Sequence, residues 1–115
     1  EEHERLFRAG VKAMRAGEYR TAITMFTRAI AAYPGGLTTR KGGQYAVWLA
    51  QALHAGGKRG DAKKLLTSIE KHPDGDVRTL ADNVLYIYQA PELKLGEENF
   101  MRIDMDLATP DDWGR

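Results

Sequence analysis

Gly17 and Gly57 stand 40 residues apart, and so do Ala22 and Ala62, Phe26 and Leu66, and Ala29 and Ile69. An offset kept at four matched positions is an internal repeat, and it constrains this chain more than any other feature. A repeat unit cannot bury its apolar face alone and has to stack on a neighbour. Each unit reads as a helical hairpin. Leu6, Ala9, Gly10 and Ala13 recur at helical spacing, and Ala22, Phe26, Ala29 and Ile30 resume the period as far as Pro34-Gly35-Gly36. The Ala16-Gly17-Glu18-Tyr19 break between them has room only for a tight turn, with Gly17 as a left-handed cap. The second unit has Ala46, Leu49, Ala50 and Leu53, then Gly56-Gly57-Lys58-Arg59, then Ala62, Leu65, Leu66 and Ile69, ending at His72-Pro73-Asp74-Gly75.

A fifth helix is expected from Asp76, read as its N-cap, through Val77, Leu80, Ala81, Val84, Leu85 and Tyr88, stopping before Pro91. It has no following partner, which suits a capping element at the end of a stack. Residues 91–115 lose the helical period. Met101, Ile103, Met105 and Leu107 alternate along an extended segment, and Trp113 sits beside Asp111 and Asp112. The expected organisation is an all-α domain over residues 1–90 and an acidic extended tail over 91–115. Tyr45 with Trp48, and Tyr86 with Tyr88, are expected to pack between elements.

With 115 residues there is chain for one core. Hydrophobic residues make up 43% and charged residues 29%, a globular balance. No apolar run approaches the roughly 18 residues that span a bilayer. There is no cysteine, which removes disulfides, thiolate metal sites and a thiol nucleophile. The chain opens on Glu1 instead of Met, so a longer precursor is expected. The net charge of +1 conceals a division. Residues 1–80 carry 14 Lys and Arg against 8 Asp and Glu, a net of +6, and residues 81–115 carry 3 against 8, a net of −5.

Catalysis finds no foothold in these residues. His3, His54 and His72 have no metal-ligand spacing; His3 sits near a terminus and His72 beside a helix stop, where a cation complements the dipole. Gly35-Gly36 and Gly42-Gly43 lack the Lys-Ser/Thr of a phosphate loop. Asp104, Asp106, Asp111 and Asp112 lack the spacing of a calcium loop. No enzyme activity, cofactor, metal or small-molecule substrate is expected.

The hairpins resemble the tetratricopeptide repeat, a module of about 34 residues. The matching residues are Leu6, Ala9-Gly10, Gly17-Glu18-Tyr19, Ala22, Phe26, Ala29 and Pro34, with a weaker second copy in Leu49-Ala50, Leu53, Gly57, Ala62, Leu66, Ile69 and Pro73. Six extra residues separate the copies, around residues 36–43. A narrower resemblance, through Gly42-Gly43-Gln44, Trp48-Leu49-Ala50 and the Tyr86-Ile87-Tyr88-Gln89-Ala90-Pro91-Glu92-Leu93-Lys94 string, is to a cyanobacterial and plastid tetratricopeptide-like group. The resemblance implies two hairpins, a cap and a tail, and a protein-interaction role as adaptor, assembly factor or auxiliary subunit of a plastid complex, photosynthetic by association. It also implies a chloroplast location, in the stroma or against the thylakoid.

Carried over position by position, the family's partner groove falls on Glu4, Phe7, Val11, Met14 and Arg15, then on Gln44, Val47, Gln51 and His54. The family's clamp for a C-terminal carboxylate does not match, because Phe7 and Val11 occupy its polar positions. The tail residues Met101, Ile103, Met105, Leu107 and Trp113 would add a second contact with body or partner. The alternative partner is nucleic acid. Arg5, Arg8, Lys12 and Arg15 line one face of the first helix, and Lys58-Arg59 with Lys63-Lys64 form a second basic cluster.

Overall fold

A computed structural model describes residues 1–89. These form five helices: α1 (Glu2–Arg15), α2 (Tyr19–Ala32), α3 (Arg40–Ala55), α4 (Arg59–Ile69) and α5 (Gly75–Gln89). No strand occurs among the described residues. α1 and α2 form one antiparallel hairpin, and α3 and α4 the next. α2 packs on α3, and α5 closes the stack against α4 and α3. The all-α expectation of two hairpins and a final helix is met.

The two hairpin turns are the same motif. Gly17 and Gly57 have φ of +79° and +92°, in the left-handed region where a Cβ is strained. After α1, Gly17 N–H donates to Met14 O (3.1 Å) and Glu18 N–H to Ala13 O (2.8 Å). After α3, Gly57 N–H donates to His54 O (3.1 Å) and Lys58 N–H to Leu53 O (2.8 Å). This double closure satisfies helix-end carbonyls and reverses the chain within a few residues. The repeat in sequence is thus a repeat in backbone hydrogen bonding.

The starts of α3 and α5 are set by side-chain caps, and the α5 cap differs from expectation. α3 begins at Arg40, well before Ala46. The Thr39 hydroxyl accepts from Gly42 N–H (3.0 Å) and caps the helix across the glycine pair. Part of the extra stretch between the units is therefore the first turn of α3. α5 is capped by Asp74, whose carboxylate accepts from Val77 N–H (3.1 Å). Asp76 lies inside the helix and pairs with Arg40 (2.5 Å).

The core is built on rings. Phe7 stacks on Tyr45 with centroids 4.6 Å apart and meets Trp48 edge-on at 5.6 Å. Phe26 lies 5.4 Å from Phe7 and 5.8 Å from Trp48. These four residues, from α1, α2 and α3, are all buried. Gly10 is small because the Phe26 ring lies where its Cβ would stand. Ala46, Ala50, Ala62, Leu66, Ile69, Val77, Leu80, Ala81 and Val84 continue the core through the second hairpin and α5. Tyr86 departs from its expected packing role: it is 68% exposed.

His72 ties the connection after α2 to the one before α5. Its Nδ1 accepts from Asp74 N–H (2.9 Å), so the proton of the neutral ring is on Nε2. Nε2 donates to Leu37 O (2.8 Å) and Thr39 O (3.0 Å). Arg78 donates to the His72 carbonyl (2.6 Å). The expectation of a cation answering a helix dipole is corrected, because the ring is buried and used as donor and acceptor at once. His3 is likewise buried, with Nδ1 2.9 Å from Tyr45 Oη and its ring edge-on to Tyr33.

Candidate functional site

The residues expected to line an open groove are core. Phe7, Val11, Met14, Gln44, Val47 and Gln51 are all buried, Phe7 and Met14 to 1% exposure. Their helical spacing was read correctly as one face, but that face is closed over by other parts of the chain, with the Tyr45 and Trp48 rings against Phe7. Glu4 is half-buried and pairs with Lys41 of α3 (3.1 Å). Arg15 is exposed and His54 is half-buried. The tail residues Met101, Ile103, Met105, Leu107 and Trp113 lie outside the described residues.

Gln51 stands out among the buried set. It is 2% exposed, and neither its amide nitrogen nor its amide oxygen makes a hydrogen bond. A buried amide left unpaired costs about 1–3 kcal/mol. Gln51→Met, of similar shape, is expected to raise stability by about 1–2 kcal/mol, measured by urea unfolding. A loss of stability would mean that the amide is satisfied in solution.

The face Arg5, Arg8, Lys12 and Arg15 is exposed as expected. Its charge is partly answered: Arg5 pairs with Glu2 at 2.5 Å, and this hydrogen bond, with the Arg5 charge, holds the Glu2 carboxyl below its ordinary range. Arg40 and Lys41 are answered by Asp76, Asp74 and Glu4.

α4 is different. Lys58, Arg59, Lys63, Lys64 and Lys71 are all exposed, and none of them forms an ion pair among the described residues. Gly60, Lys63, Lys64, Thr67, Ser68 and Lys71 follow the helical three–four spacing and line an open groove of about 610 Å³. Lys63 also borders a second cavity of about 440 Å³, between the end of α3, the start of α4 and the end of α5. Its lining is His54, Arg59, Lys63, Leu85, Tyr88 and Gln89, with two cations and no carboxylate. The His54 and Tyr88 rings stack there, with centroids 3.6 Å apart and planes 10° from parallel. Burial first, and the Arg59 charge second, push the His54 pKa below its ordinary value, so the ring is neutral at pH 7.

The Lys58-Arg59 and Lys63-Lys64 pairs were legible as a cluster, but their lack of acidic partners was not. The His54–Tyr88 stack was missed. His54 and Tyr88 each stand next to last in their helices, α3 and α5, and nothing in the local sequence around either marks the pairing.

No protein-family model matches the chain, no curated protein is detectably similar to it, and no solved structure matches it. Among the described residues no three His, Asp or Glu side chains come together as a metal site, and no helix is long and apolar enough to cross a membrane.

Proposed function

We propose that this chain is a non-catalytic protein-interaction module of tetratricopeptide type, serving as an adaptor, assembly factor or auxiliary subunit of a larger plastid complex. The plastid setting rests on resemblance alone, through Gly42-Gly43-Gln44, Trp48-Leu49-Ala50 and the string that ends Ala90-Pro91-Glu92-Leu93-Lys94. The observation that carries the interaction role is the exposed face of α4 and the residue beyond it, where Lys63, Lys64 and Lys71 stand together with no acidic partner among the described residues. Arg5 and Arg40, by contrast, are drawn into ion pairs, with Glu2 and Asp76, while the exposed Lys12, Arg20 and Arg28 form none among the described residues but are spread over two other helices. A rigid helix holding uncompensated charge raises encounter rates with an oppositely charged surface and contributes to choice of partner. The described fold gives that helix a fixed platform, since Ala62, Leu66 and Ile69 on its other side are buried.

Affinity capture from plastid extract tests this. Lys63→Glu, Lys64→Glu and Lys71→Glu together are expected to lower protein recovery about tenfold or more, with unchanged thermal unfolding because all three side chains are exposed. Undiminished protein recovery overturns the proposal. Recovery of nucleic acid in place of protein, lost on reversing Arg8, Lys12 and Arg15, supports the alternative partner instead.

A further inference from the structure

We propose that the α4 groove and the adjoining cavity form one docking site for an acidic linear peptide segment, its carboxylates along Lys63, Lys64 and Lys71 and one apolar side chain in the cavity beside Leu85 and Tyr88. This rests on the interaction-module reading above and names its partner's chemistry.

Charge complementarity is the first argument. The groove offers Lys63, Lys64 and Lys71, the cavity offers Arg59 and Lys63, and no acidic residue lines either. A ligand that answers this lining carries several negative charges. Geometry is the second. Lys63 belongs to both linings, so the two sites adjoin and one extended chain lying along α4 can reach both. α4 has 11 residues; at a rise of 1.5 Å each, its groove is about 16 Å long, the reach of about five extended residues. Thr67 and Ser68 lie on the same face; the Ser68 hydroxyl donates to Leu65 O (2.7 Å), so its one proton is used within the helix.

The cavity sets the rest of the specificity. At about 440 Å³ it lies within the ordinary range for ligand sites, about 300–1,000 Å³. Leu85 and the Tyr88 ring make its apolar wall, while Arg59, Lys63 and Gln89 supply donors at its mouth. A neutral His54 adds no charge at pH 7 and stiffens the Tyr88 ring by stacking on it. An apolar or aromatic side chain flanked by carboxylates satisfies both parts. A nucleic-acid strand fits less well: bases need an open aromatic face to stack on, the groove lining contains no aromatic residue, and Tyr88 already has His54 against one face.

The test is fluorescence anisotropy on the intact chain, with a short dye-labelled peptide of glutamates and aspartates around one phenylalanine. Binding is expected to weaken steeply as salt rises, because the charges are exposed. Lys64→Glu with Lys71→Glu is expected to cost about tenfold in affinity, and replacing the peptide's phenylalanine by alanine a similar factor. The His54 imidazole resonances should move with the phenylalanine peptide and stay with the alanine one. Equal binding of a peptide with amides in place of its acids overturns the proposal. So does indifference to the phenylalanine, or tighter binding of a single-stranded oligonucleotide of the same charge. The two readings fail separately. If charge reversal abolishes capture from extract while the acidic peptide fails to bind, the interaction module stands and this site assignment falls. If the peptide binds as described while capture is unaffected, the site stands and the functional reading falls.

Discussion

Phe7→Asn is expected to leave the protein largely unfolded at room temperature. The ring is 1% exposed and touches Phe26, Tyr45 and Trp48, so its removal leaves a hole where α1, α2 and α3 meet. Truncating a buried Phe costs about 3–5 kcal/mol. An asparagine amide left in that space without partners adds about 1–3 kcal/mol. Domains of this size are stable by roughly 5–15 kcal/mol, and a small one lies toward the lower end. Far-UV circular dichroism and urea unfolding read the result directly. The outcome discriminates between two pictures of the same residue. A groove residue could become polar and leave folding intact, with only the partner lost. A folded Phe7→Asn protein with a nearly unchanged urea midpoint would restore the groove and remove Phe7 from the core.

Gly42→Ala is expected to destabilise by about 2–4 kcal/mol, which is large for the addition of one methyl group. A Cβ at this position would stand 2.0 Å from Gly36 O, a backbone atom. Ordinary contact begins near 3.4 Å, so the connection before α3 would have to move by more than 1 Å. It is poorly free to do so. The Thr39 hydroxyl donates to Gly36 O (2.9 Å) while accepting from Gly42 N–H (3.0 Å). His72 grips Leu37 O and Thr39 O from the other side. Displacing this segment therefore puts the α3 cap and the His72 bridge at risk together. Gly60→Ala is the control. It is also a helical glycine, but no heavy atom lies within 4 Å of its would-be Cβ. There the better helix propensity of alanine should give a gain of up to about 1 kcal/mol. If the two substitutions shift the urea midpoint equally, the close approach of Gly42 to Gly36 does not exist in solution.

Much of the helical frame was legible in residues 1–89. The positive-φ glycines at 17 and 57, the apolar periods and the breaks at Pro34 and Pro73 are short-range signals, and they placed every hairpin within a few residues. Asp74 and Asp76 are both good caps by type; Asp74 takes the Val77 N–H, and Arg40 of α3 reaches both carboxylates. Thr39 caps α3 by a short-range bond to Gly42 N–H, ahead of the first apolar position of the period. Phe7, Val11 and Met14 form an apolar face whether a partner or the chain itself covers them, and periodicity carries no information about which.

The sequence by itself determined that this chain makes two like hairpins and a closing helix. Helical period, capping and left-handed glycine are properties of neighbours along the chain. Only the tertiary structure decided which face is interior and which cations are left unanswered. Those are properties of side chains far apart in sequence: Phe7 reaches Tyr45, and Lys41 reaches Glu4. No residue composition states that Arg40 finds Asp76 while Lys64 and Lys71 find no carboxylate among the described residues. That difference, a matter of position in space, is what turns a basic domain into one with a basic face.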